Sequence, residues 1–104
     1  MGYIDFNGQQ YEVDEDGFLA DPTLWTRELA VFLAKNEEVE LTDEHWKIID
    51  YLVNYYKQFG IAPMVRKMVK DTGFSVEKIY ELFPSGPGKG ACKIAGIPKP
   101  TGCV

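Results

Sequence analysis

The chain has few of the residues that hold metals or build disulfide frameworks: its 104 residues include two cysteines and one histidine. Cys92, Cys103 and His45 lie far apart in sequence and do not make the four-ligand set of a structural zinc site. The ten residues between the cysteines exclude a C-x-x-C thioredoxin-like motif. No apolar run approaches the roughly 18 residues that a membrane span needs, so no membrane insertion is expected. The stretch Met1 to Phe6 shows neither a basic patch nor a signal-like apolar segment. Phe6 stands where a myristoylation start wants Ser or Thr, and Cys103, with only Val104 after it, is no prenylation box. These absences lead to the expectation of a soluble, cytoplasmic protein, whose thiols in a reducing compartment are reactive rather than structural.

Acid is missing from one end. From Pro84 onward there is no Asp or Glu, while Lys89, Lys93 and Lys99 lie there, so the side chains of that stretch carry +3 and residues 1–83 carry −8. The net charge of −5 argues against a general affinity for nucleic acid or anionic membranes. With 45% hydrophobic residues the chain suffices for one domain with one modest core. The only composition break is at Pro84, which divides a body, residues 1–83, from an arm, residues 84–104.

In the body, alternating segments around Asn7-Gly8 read as a hairpin over Tyr3–Val13. Asp21-Pro22 starts a first helix, expected to run from Pro22 to Asn36. Thr42, followed by Asp43 and Glu44, starts a second that ends at Phe59 before Gly60, with Trp46, Ile49, Leu52, Val53 and Tyr56 as its buried stripe. His45 is expected at the helix surface or beside the cap. A third helix begins near Pro63 and ends at Thr72-Gly73; Ser75 caps a fourth that ends near Phe83. The fold class is therefore mainly α, with an N-terminal hairpin and a helix-turn-helix unit over residues 63–83. That unit raises the possibility of a DNA-binding regulator, but Val76–Phe83 carries Glu77 and Glu81 against Lys78 alone, the wrong sign for phosphate contact. Arg66, Lys67 and Lys70 cluster one helix earlier, as a solvated face, with Arg66 and Lys70, together with Lys93, as candidates for binding the arm or a sulfur anion.

The arm is rich in Gly and Pro, which argues against a continuous helix and for a flexible strip. Its twenty steps could span about 65–70 Å fully stretched and about 25 Å as a coil. Ile94, Ala95 and Ile97 give it an apolar patch, enough to dock but not to form a core. Lys93, next to Cys92, and Lys89 favour the Cys92 thiolate, whereas Cys103 sits beside the terminal carboxylate. Access favours Cys103, since a penultimate thiol enters a narrow pocket without dragging chain behind it. The division of labour expected is Cys103 as the residue that reaches in and Cys92 as the resolving thiol; two inert thiols on a disordered tail are the plain alternative. No cluster in the body supplies a cofactor site or a nucleophile–base pair, so the chain is not expected to be catalytic alone.

The arm sequence GPGKGACKIAGIPKPTGCV closely resembles that of the DsrC proteins, the gamma-subunit-like partners of dissimilatory sulfite reductase. LTDEHW at 41–46, YLVNYY at 51–56, PMVRKMVK at 63–70 and YELFPSGPG at 80–88 extend the resemblance over essentially the whole chain. Ser85 and Ile97 are mild departures. The resemblance implies a small orthogonal helical bundle with a mobile arm. It also implies a protein cosubstrate whose Cys103 accepts sulfur from partly reduced sulfite and whose Cys92 joins it through a trisulfide. The partners implied are the alpha and beta subunits of the reductase, carrying sirohaem and iron–sulfur clusters, and a membrane-bound redox complex that reduces the trisulfide. No cofactor is expected on this chain. Relatives resembling TusE relay persulfide for tRNA thiolation and keep only the penultimate cysteine, so the presence of Cys92 favours the reductase partner. The same thiols would serve reductive or oxidative sulfur flow.

Overall fold

Asn7 and Gly8 adopt φ of 56° and 80°, the two positive values that a two-residue hairpin turn matched to strand twist requires. They join β1 (Gly2–Phe6) to β2 (Gln9–Val13) in an antiparallel pair with Ile4 opposite Tyr11. The computed structural model describes residues 2–97. One face of the hairpin turns inward: Tyr11 and Val13 are buried, and the Phe6 ring lies 5.0 Å from that of Phe32 on the next helix.

The first helix is shorter than expected. Pro22–Leu24 is a single 3-10 turn capped by Asp21, Trp25 is extended, and α1 spans Arg27–Asn36. The reason is a second cap: the Thr26 hydroxyl accepts from the Leu29 amide at 3.1 Å, which starts a new helix five residues after the first start signal. The break frees Trp25 to face elsewhere.

The long helix α2 (Asp43–Phe59) ends at Gly60, whose φ of 74° is the left-handed conformation that glycine tolerates, with its N–H bonded to Tyr56 O. Its Ile48, Ile49 and Leu52 are wholly buried. Helix α3 (Val65–Thr72) ends in the same way at Gly73, and Ser75 caps α4 (Val76–Leu82) by accepting from the Lys78 amide. These two short helices follow each other across a tight turn at Gly73–Ser75.

His45 is not on the surface. It is buried as the third residue of α2, where Nδ1 accepts from the Thr42 amide at 3.0 Å and Nε2 lies 2.8 Å from Leu82 O. A carbonyl only accepts and an amide only donates, so the proton resides on Nε2. The imidazole thus ties the start of α2 to the end of α4, with its ring edge-on to Phe83 at 5.1 Å. Replacing it (His45→Ala) removes an N-cap partner and strands a carbonyl. We expect a loss of about 2–4 kcal/mol in urea unfolding; a loss below about 1 kcal/mol would contradict this role.

The largest departure from expectation lies beyond Phe83. The packed body does not stop there: a π-helical segment, Pro87–Cys92, packs against α2, and one further turn carries the chain to Ile97. Phe83, Ala91, Cys92, Ile94, Ala95 and Ile97 are all 2% exposed or less and belong to the one hydrophobic core. The patch expected to be too small for a core completes the core of the body, since burying Ile94 and Ile97 alone contributes about 1.5–3 kcal/mol each. Glycine serves close approach here rather than looseness. A Cβ on Gly90 would lie 3.2 Å from Phe83 Cβ. Residues 98–104, including Cys103 and Lys99, lie outside the described residues.

Candidate functional site

Cys92 closes the π-helical segment and is 1% exposed. Burial pushes its thiol from an ordinary 9.0 up to about 12, because a thiolate there would have no water. The expected cationic activation is overturned. Lys93 turns away to Glu37, the residue that caps the C-terminus of α1, with Nζ 3.4 Å from Oε2; Ser85 donates to the other Glu37 oxygen at 3.0 Å. The Lys93 ammonium also lies 5.8 Å from the centre of the Phe18 ring. Adjacent in sequence, Lys93 and Cys92 point to different surroundings, so Lys93 is a strut between the C-terminal segment and α1.

The backbone after Cys92 is closely tied. The Ala95 amide donates to Ala91 O at 2.9 Å, Gly96 to Lys93 O at 3.1 Å, and Ile97 to Cys92 O at 3.2 Å. Trp25 reaches across from the break before α1 and donates its indole N–H to Ile94 O at 2.8 Å. Its ring lies flush against Gly96, where an added Cβ would stand 2.6 Å from Trp25 Cγ and 2.8 Å from Trp25 Cβ. Trp25, Val53, Tyr56, Lys57, Gly96 and Ile97 line a groove of about 210 Å³ at this point. The residue from which the chain continues toward Cys103 is therefore held by the same turn that encloses Cys92.

This root corrects the expected reach. Counted from Ile97, the six Cα steps to Cys103 amount to at most about 20–22 Å of chain, against the longer span counted from Pro84.

Arg66 and Lys70 lie exposed on α3. Among the described residues neither forms an ion pair or side-chain hydrogen bond, and nothing links them to the surroundings of Cys92. Their neighbour Lys67 pairs with Asp71 at 3.4 Å, and Asp71 also accepts from the Tyr51 hydroxyl at 2.6 Å. On α4, the Lys78 ammonium is held by Glu44 at 3.1 Å and Glu81 at 4.0 Å. Among the described residues no group of three or more His, Cys, Asp or Glu is placed to hold a metal ion, and no helix is long and apolar enough to cross a membrane. Sequence reasoning missed Trp25, Glu37 and Gly96. Thr26 three residues before Leu29 was the one local signal, since a second cap implies a break that releases the tryptophan before it.

The likeness to known proteins covers body and arm together. The gamma subunit of dissimilatory-type sulfite reductase from Nitratidesulfovibrio vulgaris is 53% identical over 105 residues, covering 100% of both chains. Sulfurtransferase TusE from Escherichia coli is 40% identical, covering 95% of this chain and 97% of that one. Among solved structures, the oxidized gamma subunit (DsrC) from Archaeoglobus fulgidus superposes with a TM-score of 0.91 at 46% identity, covering 99% of this chain and 100% of that one. A chain of the crystal structure of dissimilatory sulfite reductase I (DsrI) does so with a TM-score of 0.90 at 55% identity, over 99% and 100% of the respective chains. The model of the family described as DsrC like protein matches residues 5–104, and the chain belongs to that family.

Proposed function

We propose that this chain is a sulfur-carrying protein partner of dissimilatory sulfite reductase. Cys103 accepts sulfur derived from sulfite, and Cys92 closes on it to give a trisulfide. Reopening the trisulfide consumes four electrons and four protons and releases two thiols and one hydrogen sulfide. Because sulfite and sulfide differ by six electrons, the reductase supplies the other two before transfer. The sirohaem and iron–sulfur clusters that deliver them belong to the alpha and beta subunits, and a membrane-bound redox complex supplies the last four.

The observation that carries this reading is the hydrogen bond from the Ile97 amide to Cys92 O. It ties Cys92 to Ile97, the residue from which the chain continues to Cys103, and so supports a resolving role for Cys92. From there, six residue steps suffice either to extend away or to double back to the Cα separation of about 4.4–6.8 Å that a cysteine bridge needs, with slightly more room for a third sulfur. Mass spectrometry after turnover with reductase and sulfite tests it. The expected product carries one extra sulfur bridging the two cysteines. Cys103→Ala should abolish loading, whereas Cys92→Ala should leave a Cys103 adduct and no bridge. Absence of any sulfur gain in the parent chain would sink the reading. The TusE relatives favour a second one, a persulfide relay for tRNA thiolation. Loading from a cysteine desulfurase relay, undiminished by Cys92→Ala, would select it.

A further inference from the structure

Trp25 interrupts what would otherwise be one helix. Its backbone is extended between the 3-10 turn and α1, its own N–H bonds back to Pro22 O, and its side chain crosses 69 residues of sequence to bond Ile94 O. A tryptophan needs only a greasy surface to stabilise a core. Trp25 instead remains partly exposed, spends its one donor on a backbone carbonyl three residues before Ile97, and lies against the glycine that immediately precedes Ile97. Gly96 adopts φ of 70°, so the chain turns there against the ring, and Ile97 lines the groove beside it. These contacts fix three successive features of the chain: the end of the turn over Cys92, the change of direction at Gly96, and the residue from which 98–104 departs.

We propose that Trp25 is a positioning residue for sulfur transfer, setting where and in which direction the segment bearing Cys103 leaves the body. The inference rests on the sulfur-carrier reading. Its physical content is a shortened tether. Anchoring at Ile97 rather than Phe83 leaves seven residues, not twenty-one, between the anchor and the chain end. Trp25 supplies the last step of that anchoring, at Gly96 and Ile97, since Ala91, Cys92 and Ile94 are held by the core itself. Direction adds to this, because a misplacement of about 1 Å at reacting atoms costs up to about a hundredfold in rate. Losing the anchor therefore affects the transfer step more than the intrinsic chemistry of the thiol.

Two variants separate positioning from mere packing. Trp25→Phe keeps a ring over Gly96 and drops the N–H; Trp25→Ala removes both. In the full-length chain, kcat for reductase-dependent sulfur loading should fall about tenfold in Trp25→Phe, and further in Trp25→Ala. Alkylation of Cys103 by iodoacetamide without the reductase should stay within about twofold of the parent, since only the geometry of delivery has changed. Independently of any partner, the Gly96 and Ile97 amides should exchange with solvent at least about tenfold faster in Trp25→Ala, with Ile48 and Leu52 of α2 unchanged relative to the melting temperature. Parental loading in both variants would overturn the proposal, as would exchange at Gly96 and Ile97 that does not respond to Trp25. If the parent chain takes no sulfur from the reductase, the functional reading falls, while the exchange comparison still decides whether Trp25 holds the root.

Discussion

In the native protein, Cys92 should react with iodoacetamide about a thousandfold or more slowly than free cysteine at neutral pH. A thiol with an ordinary pKa near 8.5 is a few per cent ionised at pH 7, whereas burial raises Cys92 to about 12 and reduces its thiolate by about three orders of magnitude. Side-chain exposure of 1% lowers the rate further. Unfolding in urea should restore ordinary reactivity, and labelling of native Cys92 within about tenfold of free cysteine would contradict the burial argument. The same shift makes a stability prediction. The folded value lies above the unfolded one, so the stabilisation is fully present below about pH 9 and is lost as pH rises toward about 12. The loss over that window is on the order of 4 kcal/mol, and it should be absent from Cys92→Ala. Tyr51, which burial and its bond to Asp71 push upward, titrates in both chains and cancels in the comparison.

For the carrier reading this result orders the steps. A neutral, enclosed Cys92 does not compete with Cys103 for the incoming sulfur, so loading precedes bridging. Bridging then requires the turn over Cys92 to open, which means disturbing the bonds Ala95 to Ala91, Gly96 to Lys93 and Ile97 to Cys92. The turn that shields Cys92 also ends at Ile97, from which the chain continues to Cys103, so on this reading a pull on that segment acts directly on the shield.

Where a single residue type dictates backbone geometry, the sequence was legible: Asn7-Gly8 turned the hairpin, Gly60 and Gly73 stopped α2 and α3, and Ser75 capped α4. The segment after Phe83 was not, because glycine has two uses that look alike in sequence. Gly90 and Gly96 supply absence of a side chain where Phe83 and Trp25 press in, and their partners lie on other elements. Lys93 misled for a related reason. Adjacency to Cys92 along the chain suggested a stabilised thiolate, but its ammonium was captured by Glu37, 56 residues away, and desolvation was left to decide the thiol. The roles proposed for Cys103 and Cys92 rest on position in the chain and family likeness, whereas the turn that encloses Cys92 and the contact of Trp25 with Ile94 O needed the fold.

Gly96→Ala should be among the most damaging single-methyl additions in this protein, costing about 2–5 kcal/mol in urea unfolding. Two effects add. Alanine at φ of 70° carries the left-handed penalty of about 1–2 kcal/mol. The new Cβ would also stand 2.6 Å from Trp25 Cγ and 2.8 Å from Trp25 Cβ, and closer still to Cδ1, so the indole must leave its seat and release Ile94 O. Stranding that buried carbonyl costs a further 1–3 kcal/mol or so. Gly60 and Gly73 provide the control: at φ of 74° and 80° they share the strain, but a Cβ at either meets nothing within 4 Å. Gly60→Ala and Gly73→Ala should therefore cost only about 1–2 kcal/mol. The ring's share of the collision is isolated by a double-mutant cycle, because in a Trp25→Ala background only the 2.8 Å contact with Cβ remains and the cost of Gly96→Ala should fall most of the way to that of those controls. Equal costs at Gly60, Gly73 and Gly96, or strict additivity with Trp25→Ala, would show that the ring does not hold the root. A large coupling would tie the stability of the body directly to the point from which Cys103 is presented.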